Sequence, residues 1–302
     1  MGRMSATQGD WSGPPSDPGI KPGIPVRLSK YVWRLTAGNA GRMTGPGTNS
    51  YLVGAGGDWA VIDPGPVDDR HVSALIGAAS GKVRQILVTH THVDHSPGAT
   101  PLKAATGAPL LGQTTTHPHW QDPTFAPDRE LRHDDRVTAT SGATLRVIHT
   151  PGHASNHLCF LLEEEGILFT GDHIMQGTTP VIDPPDGDMT AYIHSLESLL
   201  HEPLEYLAPG HGTLMPDPES IIRTLIKHRL WREAKVLASL PTQPEDLPTL
   251  VRRAYEDVSV QLHALAQRSL LAHLLKLEAE GRARRSAEAW MSVDPAAAIR
   301  KP

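Results

Sequence analysis

A short run of metal-binding residue types follows directly after a predicted strand, and it constrains the fold more than any other feature of the chain. The strand VRQILVT, residues 83 to 89, leads into the hexapeptide HTHVDH. Residues two apart in an extended segment project to the same side, so His90 and His92 converge on one metal ion. Asp94 and His95 are then directed towards a second ion. One loop can therefore serve two metal ions.

Three more ligand-type residues follow predicted strands further along the chain. They are His153 in TPGH, Asp172 in FTGD and His211 in APGH, and each is preceded by glycine, which lets the backbone approach an ion closely. Five imidazoles and two carboxylates suffice for two borderline ions such as Zn²⁺ or Fe²⁺ with open positions. Since burying so many polar groups without a metal is costly and structural zinc sites are closed, the set predicts a catalytic metal site.

Short apolar runs alternate with helical patterns in the first two thirds of the chain, which predicts a mixed α/β domain. The predicted strands include residues 49–55, 59–63, 83–89 and 144–150, and the predicted helices include residues 67–79, 97–106 and 189–200. Residues 157–172 predict a hairpin that places Asp172 just past its second strand.

The pattern changes after Pro218 to three long helices, a glycine at Gly281 and the basic segment RARRS, which is the outline of a winged helix. The charge changes sign at the same place: residues 1–219 carry 14 Lys/Arg and 24 Asp/Glu, and residues 220–302 carry 14 and 9. A basic helical tail is compatible with nucleic acid, with a solvated surface and with a dimer contact alike. We predict a flexible arm at 1–24, a catalytic domain at 25–217 and a winged-helix-like domain at 218–302.

Composition limits the class of protein. No apolar run approaches the roughly 18 residues that span a bilayer, so no membrane is expected. The 27 Gly and 27 Pro are concentrated partly in the first 25 residues, which lack the apolar core of a signal peptide. Cys159, the single cysteine, forms no internal disulfide and is expected to be a buried, inert thiol. A cytoplasmic location is the expectation.

The motif H-x-H-x-D-H and the later motifs, in the same order, resemble the metallo-β-lactamase superfamily. The resemblance implies a four-layer αββα sandwich over about residues 25 to 215, with a dinuclear site at one edge. It also implies that His90, His92 and His153 hold the first metal, that Asp94, His95 and His211 hold the second, and that Asp172 bridges both. Zn²⁺ is the favoured metal, with Fe²⁺ and Mn²⁺ as alternatives. Ser96-Pro97-Gly98 departs from the family pattern at the start of the next helix.

A closer resemblance extends over nearly everything after residue 30. GTNSYLVG, VIDPGP, GDHIMQGTT, HRLWRE and LLAHLLKLEAEG are similar to the β-lactamase-like protein 2 group, which has a C-terminal winged-helix-like domain and includes an endoribonuclease for single-stranded RNA. The metal motifs do not determine the substrate, because one fold supports many functions.

Two metal ions sharing a water would hold a hydroxide ready at neutral pH, and Asp94 is the candidate catalytic residue that orients it. Three functions follow. The first, and the leading expectation, is phosphodiester cleavage of single-stranded RNA, favoured by the resemblance and the basic tail but opposed by the acidic catalytic domain. The second is hydrolysis of a thioester or ester on a small molecule, of the glyoxalase II or acyl-thioesterase type. The third is a non-catalytic scaffold, disfavoured because all seven ligands are present. A homodimer is a further expectation.

Other residues have both a functional and a structural interpretation. His173 is equally compatible with a contact to substrate or ligand and with a strand-end hydrogen bond. Asp188, Tyr192 and Ser195 lie on one helical face, where a cap and packing residues are favoured. His117 and His119 form an H-x-H pair in a Pro-rich loop and are expected to lie at the rim rather than to bind a third metal.

Overall fold

The computed structural model describes residues 13–80, 82–115, 117, 121–140 and 142–293, which form two compact units. Unit 1 runs to Thr150 and also contains Asn156–Thr179 and Glu202–Pro218. Unit 2 contains Pro151–Ser155, Pro180–His201 and the chain from Glu219 onward. The C-terminal part of unit 2 thus begins close to the predicted boundary at 217/218, and two earlier segments join it.

The first sheet of unit 1 has seven strands that are adjacent in chain order. Its strands are β1 (Val26–Arg27), β2 (Val32–Thr36), β3 (Asn49–Ala55), β4 (Asp58–Ile62), β5 (Val83–Leu87), β6 (Leu110–Gly112) and β7 (Arg129–Glu130). The first four are antiparallel, and β4 to β7 are parallel. Parallel neighbours need a crossover connection. Helix α1 (Asp69–Ala78) lies in the connection from β4 to β5, and helix α2 (Ala99–Thr106) lies in the connection from β5 to β6.

The second sheet of unit 1 has six strands in the order β13-β12-β11-β10-β9-β8. They are β8 (Arg136–Thr140), β9 (Ala143–His149), β10 (Leu158–Leu162), β11 (Ile167–Gly171), β12 (Tyr206–Pro209) and β13 (Met215–Pro216). β10 and β11 form the predicted antiparallel hairpin, and β12 lies parallel to β11. Asp172 follows β11 directly, as the sequence predicted.

Alternating side chains of the first sheet face two different hydrophobic layers. Tyr51 and Val53 of β3 pack against residues of the second sheet, whereas Leu52 between them packs towards α1 and α2. Successive side chains of a strand point to opposite faces, so strands covered on both sides consist of nearly continuous apolar residues. This explains the three consecutive apolar residues shortly before the hexapeptide, of which Leu87 faces one layer and Ile86 and Val88 face the other.

Unit 2 consists of helices and a small sheet. Its elements are α3 (Met189–Leu199), α4 (Pro218–Ser239, of which Pro218 belongs to unit 1), β14 (Glu245–Asp246), α5 (Leu247–Ala254), a 3₁₀ turn (Val260–Leu262), α6 (His263–Ala279), β15 (Ala283–Ser286) and β16 (Ala289–Ser292). The chain leaves α6 through Gly281 in the left-handed region at φ +71°. The basic segment forms β15, which pairs with β16 as the wing, and the buried Trp290 of β16 packs in the core of this unit.

The described part of the predicted arm is attached to unit 1 from residue 16. The side chain of Asp17 is 8% exposed and forms an ion pair with Arg34 of β2, and it accepts a hydrogen bond from Leu214 N at 2.7 Å. Burial raises the pKa of this carboxyl group, but Arg34 and the backbone donors outweigh it and lower the pKa. The prediction of a flexible arm therefore does not hold as far as residue 24; residues 1–12 of it lie outside the described residues. Within the described chain, no helix combines the length and apolarity needed to cross a membrane.

Candidate metal centre

Six of the seven predicted ligands converge at one edge of unit 1. Four of them lie in the loop after β5, one follows β11 and one follows β12; they are His90, His92, Asp94, His95, Asp172 and His211. The donor atoms of His90, His95 and Asp172 all lie within 4.8 Å of one another, and so do those of Asp94, His95 and His211. The loops meet because β5, β11 and β12 end at the same edge of the two packed sheets.

Asp172 occupies the centre of this cluster. Its Oδ1 lies 3.3 Å from Nε2 of both His95 and His211. Asp94 Oδ2 lies 3.5 Å from His95 Nε2 and 3.3 Å from His211 Nε2. His90 Nε2 and His92 Nδ1 are 3.0 Å apart. His95 and His211 are both predicted to hold the second ion, so this contact places Asp172 beside the predicted site of that ion, and its role as a bridge stays a prediction.

Hydrogen bonds within the cluster leave some of its donor atoms unsatisfied, whereas a bound cation would satisfy them. Nε2 of His95 and Nε2 of His211 are buried, and neither forms a hydrogen bond within the described part of the chain, despite a carboxylate oxygen 3.3 Å away. Buried polar atoms without hydrogen bonds are costly. A divalent ion bound by these nitrogens and oxygens would satisfy them, because neutral imidazole and carboxylate are the donors that Zn²⁺ and Fe²⁺ prefer.

The pKa values show that the centre attracts positive charge. Burial alone would lower the pKa of His211, but Asp172 and Asp94 outweigh it and raise that pKa to about 10. Burial also works against the charged form of Asp172, yet His211 and His95 hold its pKa well below the usual range. The ionised carboxylates attract a cation, and because the same negative charge makes the imidazoles hold a proton more tightly, a bound metal ion must displace that proton.

Asp63 orients one of these imidazoles, a role that the sequence pattern did not indicate. It accepts hydrogen bonds from Thr89 N at 2.7 Å, from Thr89 Oγ1 at 2.7 Å and from His95 Nδ1 at 2.9 Å. The proton of His95 is thereby held on Nδ1, so Nε2 faces the centre with its lone pair. Asp63 follows β4 in the motif VIDPGP, and its position directly after a strand was the available signal.

Glycines beside the ligands make the approach possible, as the sequence predicted. A Cβ at Gly210 would lie 2.7 Å from His95 Cε1 and 2.8 Å from Asp172 Oδ1. Gly171 has a φ of +46°, and a Cβ there would lie 2.6 Å from Thr89 Oγ1. Any side chain at either position would displace the residues that form the centre.

His153 belongs to unit 2, where it is half-buried and its Nδ1 donates to the Val181 carbonyl oxygen at 2.7 Å. Its role as a ligand stays a prediction.

The residues of the predicted helical face on α3 make structural contacts within unit 2. Asp188 caps α3 by accepting from Ala191 N at 2.8 Å, and Ser195 Oγ donates to the Pro151 carbonyl oxygen at 2.8 Å. Tyr192 is fully buried.

The remaining candidates from the sequence are His173, Cys159, His117 and His119. His173 is fully buried, its backbone N donates to Thr170 O, and its ring lies 5.8 Å from that of His157. Cys159 is buried as predicted, and burial raises the pKa of its thiol to about 12. His117 has a backbone hydrogen bond to Thr115 Oγ1. His119 lies outside the described residues.

Comparison with known proteins identifies both parts of the chain. Residues 43–211 match the Metallo-beta-lactamase superfamily, and residues 247–290 match the Beta-lactamase associated winged helix domain. The Beta-lactamase-like protein 2 homolog of Drosophila melanogaster is 33% identical over 281 residues, which are 87% of this chain and 93% of that protein. The Atrochrysone carboxyl ACP thioesterase of Aspergillus chevalieri is 34% identical over 71% of this chain and 67% of its own length.

A solved structure extends the likeness to nearly the whole chain. The beta-lactamase domain protein from Burkholderia ambifaria superimposes with a TM-score of 0.78 at 19% identity, covering 97% of this chain and all of that one. The predicted fold class, with its winged-helix domain, is confirmed.

Proposed function

The chain belongs to the metallo-beta-lactamase superfamily of metal-dependent hydrolases, and we propose that it hydrolyses an acyl thioester. The cluster of imidazoles and carboxylates at the strand ends of unit 1 supports hydrolysis without a serine or cysteine nucleophile. In this reaction water adds to the thioester carbonyl carbon and the carbon–sulfur bond breaks. The products are a carboxylate, a thiol and one proton.

We propose two divalent ions for the centre. His90, His92 and His153 would hold the first, Asp94, His95 and His211 the second, and Asp172 would contact both. Zn²⁺ is the proposed metal, and Fe²⁺ and Mn²⁺ are the alternatives. When bound, two such ions supply a water that ionises near neutral pH and a Lewis acid for the carbonyl oxygen.

Asp94 is the proposed catalytic residue. Its side chain is 20% exposed, compared with 10% for Asp172, so it is the carboxylate of the centre more accessible to a substrate. His95 and His211 outweigh the effect of burial and lower its pKa, so Asp94 stays ionised and can accept a hydrogen bond from the attacking water. That hydrogen bond would direct the oxygen lone pair at the carbonyl carbon.

The charge distribution in unit 2 favours a small acyl substrate over a polynucleotide. Eight basic side chains after residue 220 form ion pairs with carboxylates of unit 2, and two of these carboxylates, Glu219 and Asp183, lie before residue 220. They are Arg223, Arg232, Lys235, Arg253, Arg268, Lys276, Arg282 and Arg285. A strand of RNA is held mainly by cations that neutralise phosphates. Cations that are already paired contribute less to such binding, so the positive excess of this segment is a weak argument for RNA.

Relatives named as carboxyl ACP thioesterases, at 34% and 32% identity, add support from the sequence side. Cleavage of single-stranded RNA is the second candidate, because the sequence resembles the β-lactamase-like protein 2 group and because Trp231 is 47% exposed on α4, one helical turn after Lys227. An exposed indole beside cations can stack on a base while the cations bind phosphate.

One paired assay distinguishes thioester hydrolysis from RNA cleavage. The full chain is loaded with Zn²⁺ and tested on acyl-coenzyme A and acyl-pantetheine thioesters, with the released thiol as the readout, and on end-labelled single-stranded RNA. We expect thioester hydrolysis to exceed RNA cleavage by orders of magnitude. The Asp172→Ala protein, purified identically, controls for contaminating nucleases and esterases. RNA cleavage that depends on Asp172, without thioester turnover, would overturn the proposal in favour of the second candidate.

A cytoplasmic location and a homodimer are further proposals. The first is supported by the single, buried cysteine, which suits a reducing compartment. The second is supported by the exposed apolar side chains of Leu230 and Trp231 on α4. Light scattering of the purified chain tests the dimer.

A further inference from the structure

The segment Asn156-His157-Leu158 runs beside the strand end that carries the first ligands, and we propose that Asn156 and His157 position His90 for metal binding. The inference rests on the proposed function, in which His90 binds the first metal ion. Asn156 and His157 are positioning residues, because they contact the ligand loop and not the substrate.

The contacts pair the two segments residue by residue. Leu158 N donates to Thr89 O at 2.7 Å. The His157 ring stacks on the His90 ring, with centroids 5.0 Å apart and an angle of 30° between the planes. Asn156 Nδ2 donates to Thr91 Oγ1 at 2.8 Å. We call these three contacts, of residues 156–158 with residues 89–91, the ligand-loop clamp.

The clamp connects the two sheets of unit 1. Residues 89–91 continue β5 of the first sheet, and Leu158 begins β10 of the second. Stacked sheets are normally about 10 Å apart, so a direct backbone hydrogen bond between them marks a point where they converge. Asn156 Nδ2 also donates to Gln113 O at 2.8 Å, which attaches the same segment to the chain beyond β6. The position of His90 is thus determined from both sheets.

The clamp also contacts the segment that carries the proposed bridging ligand. A Cβ on Gly171 would lie 2.8 Å from His157 Nε2, so His157 packs directly against the residue before Asp172. On its other side, His157 Nδ1 is 2.9 Å from Thr150 Oγ1. The His157 ring therefore fixes the spacing between the end of β9, which precedes the predicted ligand His153 in the chain, and the end of β11, which precedes Asp172.

Burial of these polar side chains makes the clamp costly in free energy. Asn156 is 2% exposed, His157 is fully buried and His90 is 1% exposed. Leucine or phenylalanine would fill such a space without the cost of desolvating polar groups. Two buried polar side chains are explained when each fixes a specific neighbour, and here those neighbours are Thr91 and His90.

The test uses titration of the metal-free full chain with Co²⁺, whose visible absorption reports each binding step, together with kcat and KM on a thioester. His157→Ala and Asn156→Ala should each weaken the first-site affinity about 10-fold to 100-fold, which is typical when support for a ligand is lost. His157→Phe retains a stacking ring and should recover most of that affinity. His71→Ala is the matched control, because His71 is a buried histidine of the same unit that hydrogen-bonds Ser50.

The outcomes are distinct. First-site affinity that falls in both clamp variants, and not in His71→Ala, supports the inference, and kcat should then fall with KM unchanged. Wild-type affinity in both clamp variants would overturn it and leave the proposed function intact. If His157→Ala does not fold, Asn156→Ala decides. Two ions bound with wild-type affinity in a His90→Ala protein would refute the ligand assignment, and the inference would fail with it.

Discussion

Asp63→Asn should weaken metal binding although Asp63 is not itself a predicted ligand. The carboxylate accepts three hydrogen bonds, two from Thr89 and one from His95 Nδ1. An asparagine has one acceptor oxygen and one amide group, so at least one of these donors would face another donor. With the oxygen kept on Thr89 N, the amide points at His95 Nδ1. The imidazole proton then moves to Nε2, which is the atom that faces Asp172 at 3.3 Å.

The expected magnitude follows from the loss of one charge-assisted hydrogen bond and of the correct tautomer. Hydrogen bonds to charged groups contribute about 1.5 to 3 kcal/mol. Loss of the partner that orients a metal-binding histidine typically costs about 10-fold to 100-fold in affinity, or about 1.4 to 2.7 kcal/mol. We therefore expect the dissociation constant of the ion held by His95 to rise about 10-fold to 100-fold.

A competition titration with a chromophoric chelator measures both binding steps. Asp122→Asn is the matched control, since Asp122 is also a buried carboxylate but accepts from Ser96 Oγ and from Thr124. This control should keep wild-type affinity. Asp63→Asn with unchanged affinity at both steps, in a protein that melts normally, would refute the argument that Asp63 sets the tautomer of His95.

Three further predictions concern single residues. Asp94→Ala, loaded with metal, should lose most of its kcat on thioesters, and undiminished turnover would remove Asp94 from the mechanism. Burial lowers the pKa of His71 from 6.5 to about 4, so its contribution to stability is complete above pH 6.5 and is lost as the pH falls towards 4. This loss amounts to about 3 kcal/mol, and in a His71→Gln protein chemical denaturation should show a correspondingly shallower fall of unfolding free energy over that range. Cys159, with its pKa raised to about 12, should react with a thiol reagent at pH 8 only after unfolding, and rapid labelling of the native chain would contradict its burial.

The sequence predicted the parts of the molecule that depend on local pattern. The run at 49–55 became β3 with the same limits, and the strand ends of β5 and β11 carry the predicted ligand loop and Asp172, because alternation, turn residues and strand ends are local properties. Asp63 was missed because no local pattern shows that an aspartate 32 residues earlier reaches His95.

The other differences between prediction and structure also depend on contacts between residues that are distant in the sequence. The attachment of residues 16 to 24 depends on Asp17 pairing with Arg34 across the chain, and a Gly- and Pro-rich composition does not reveal such a pair. The net positive charge after residue 220 left the role of this segment open, because it does not show which cations are paired, as Lys276 and Arg282 are with Glu233 and Glu280. Summed charge carries no information on which side chains are neighbours.

The metal content of the purified, reconstituted chain tests the central claim most directly. Elemental analysis after removal of loosely bound ions should give about two divalent ions per chain, and the Asp172→Ala protein should retain fewer. A correctly folded chain that retains no divalent ion, or that holds the same number after loss of Asp172, would contradict the dinuclear centre on which the proposed function depends.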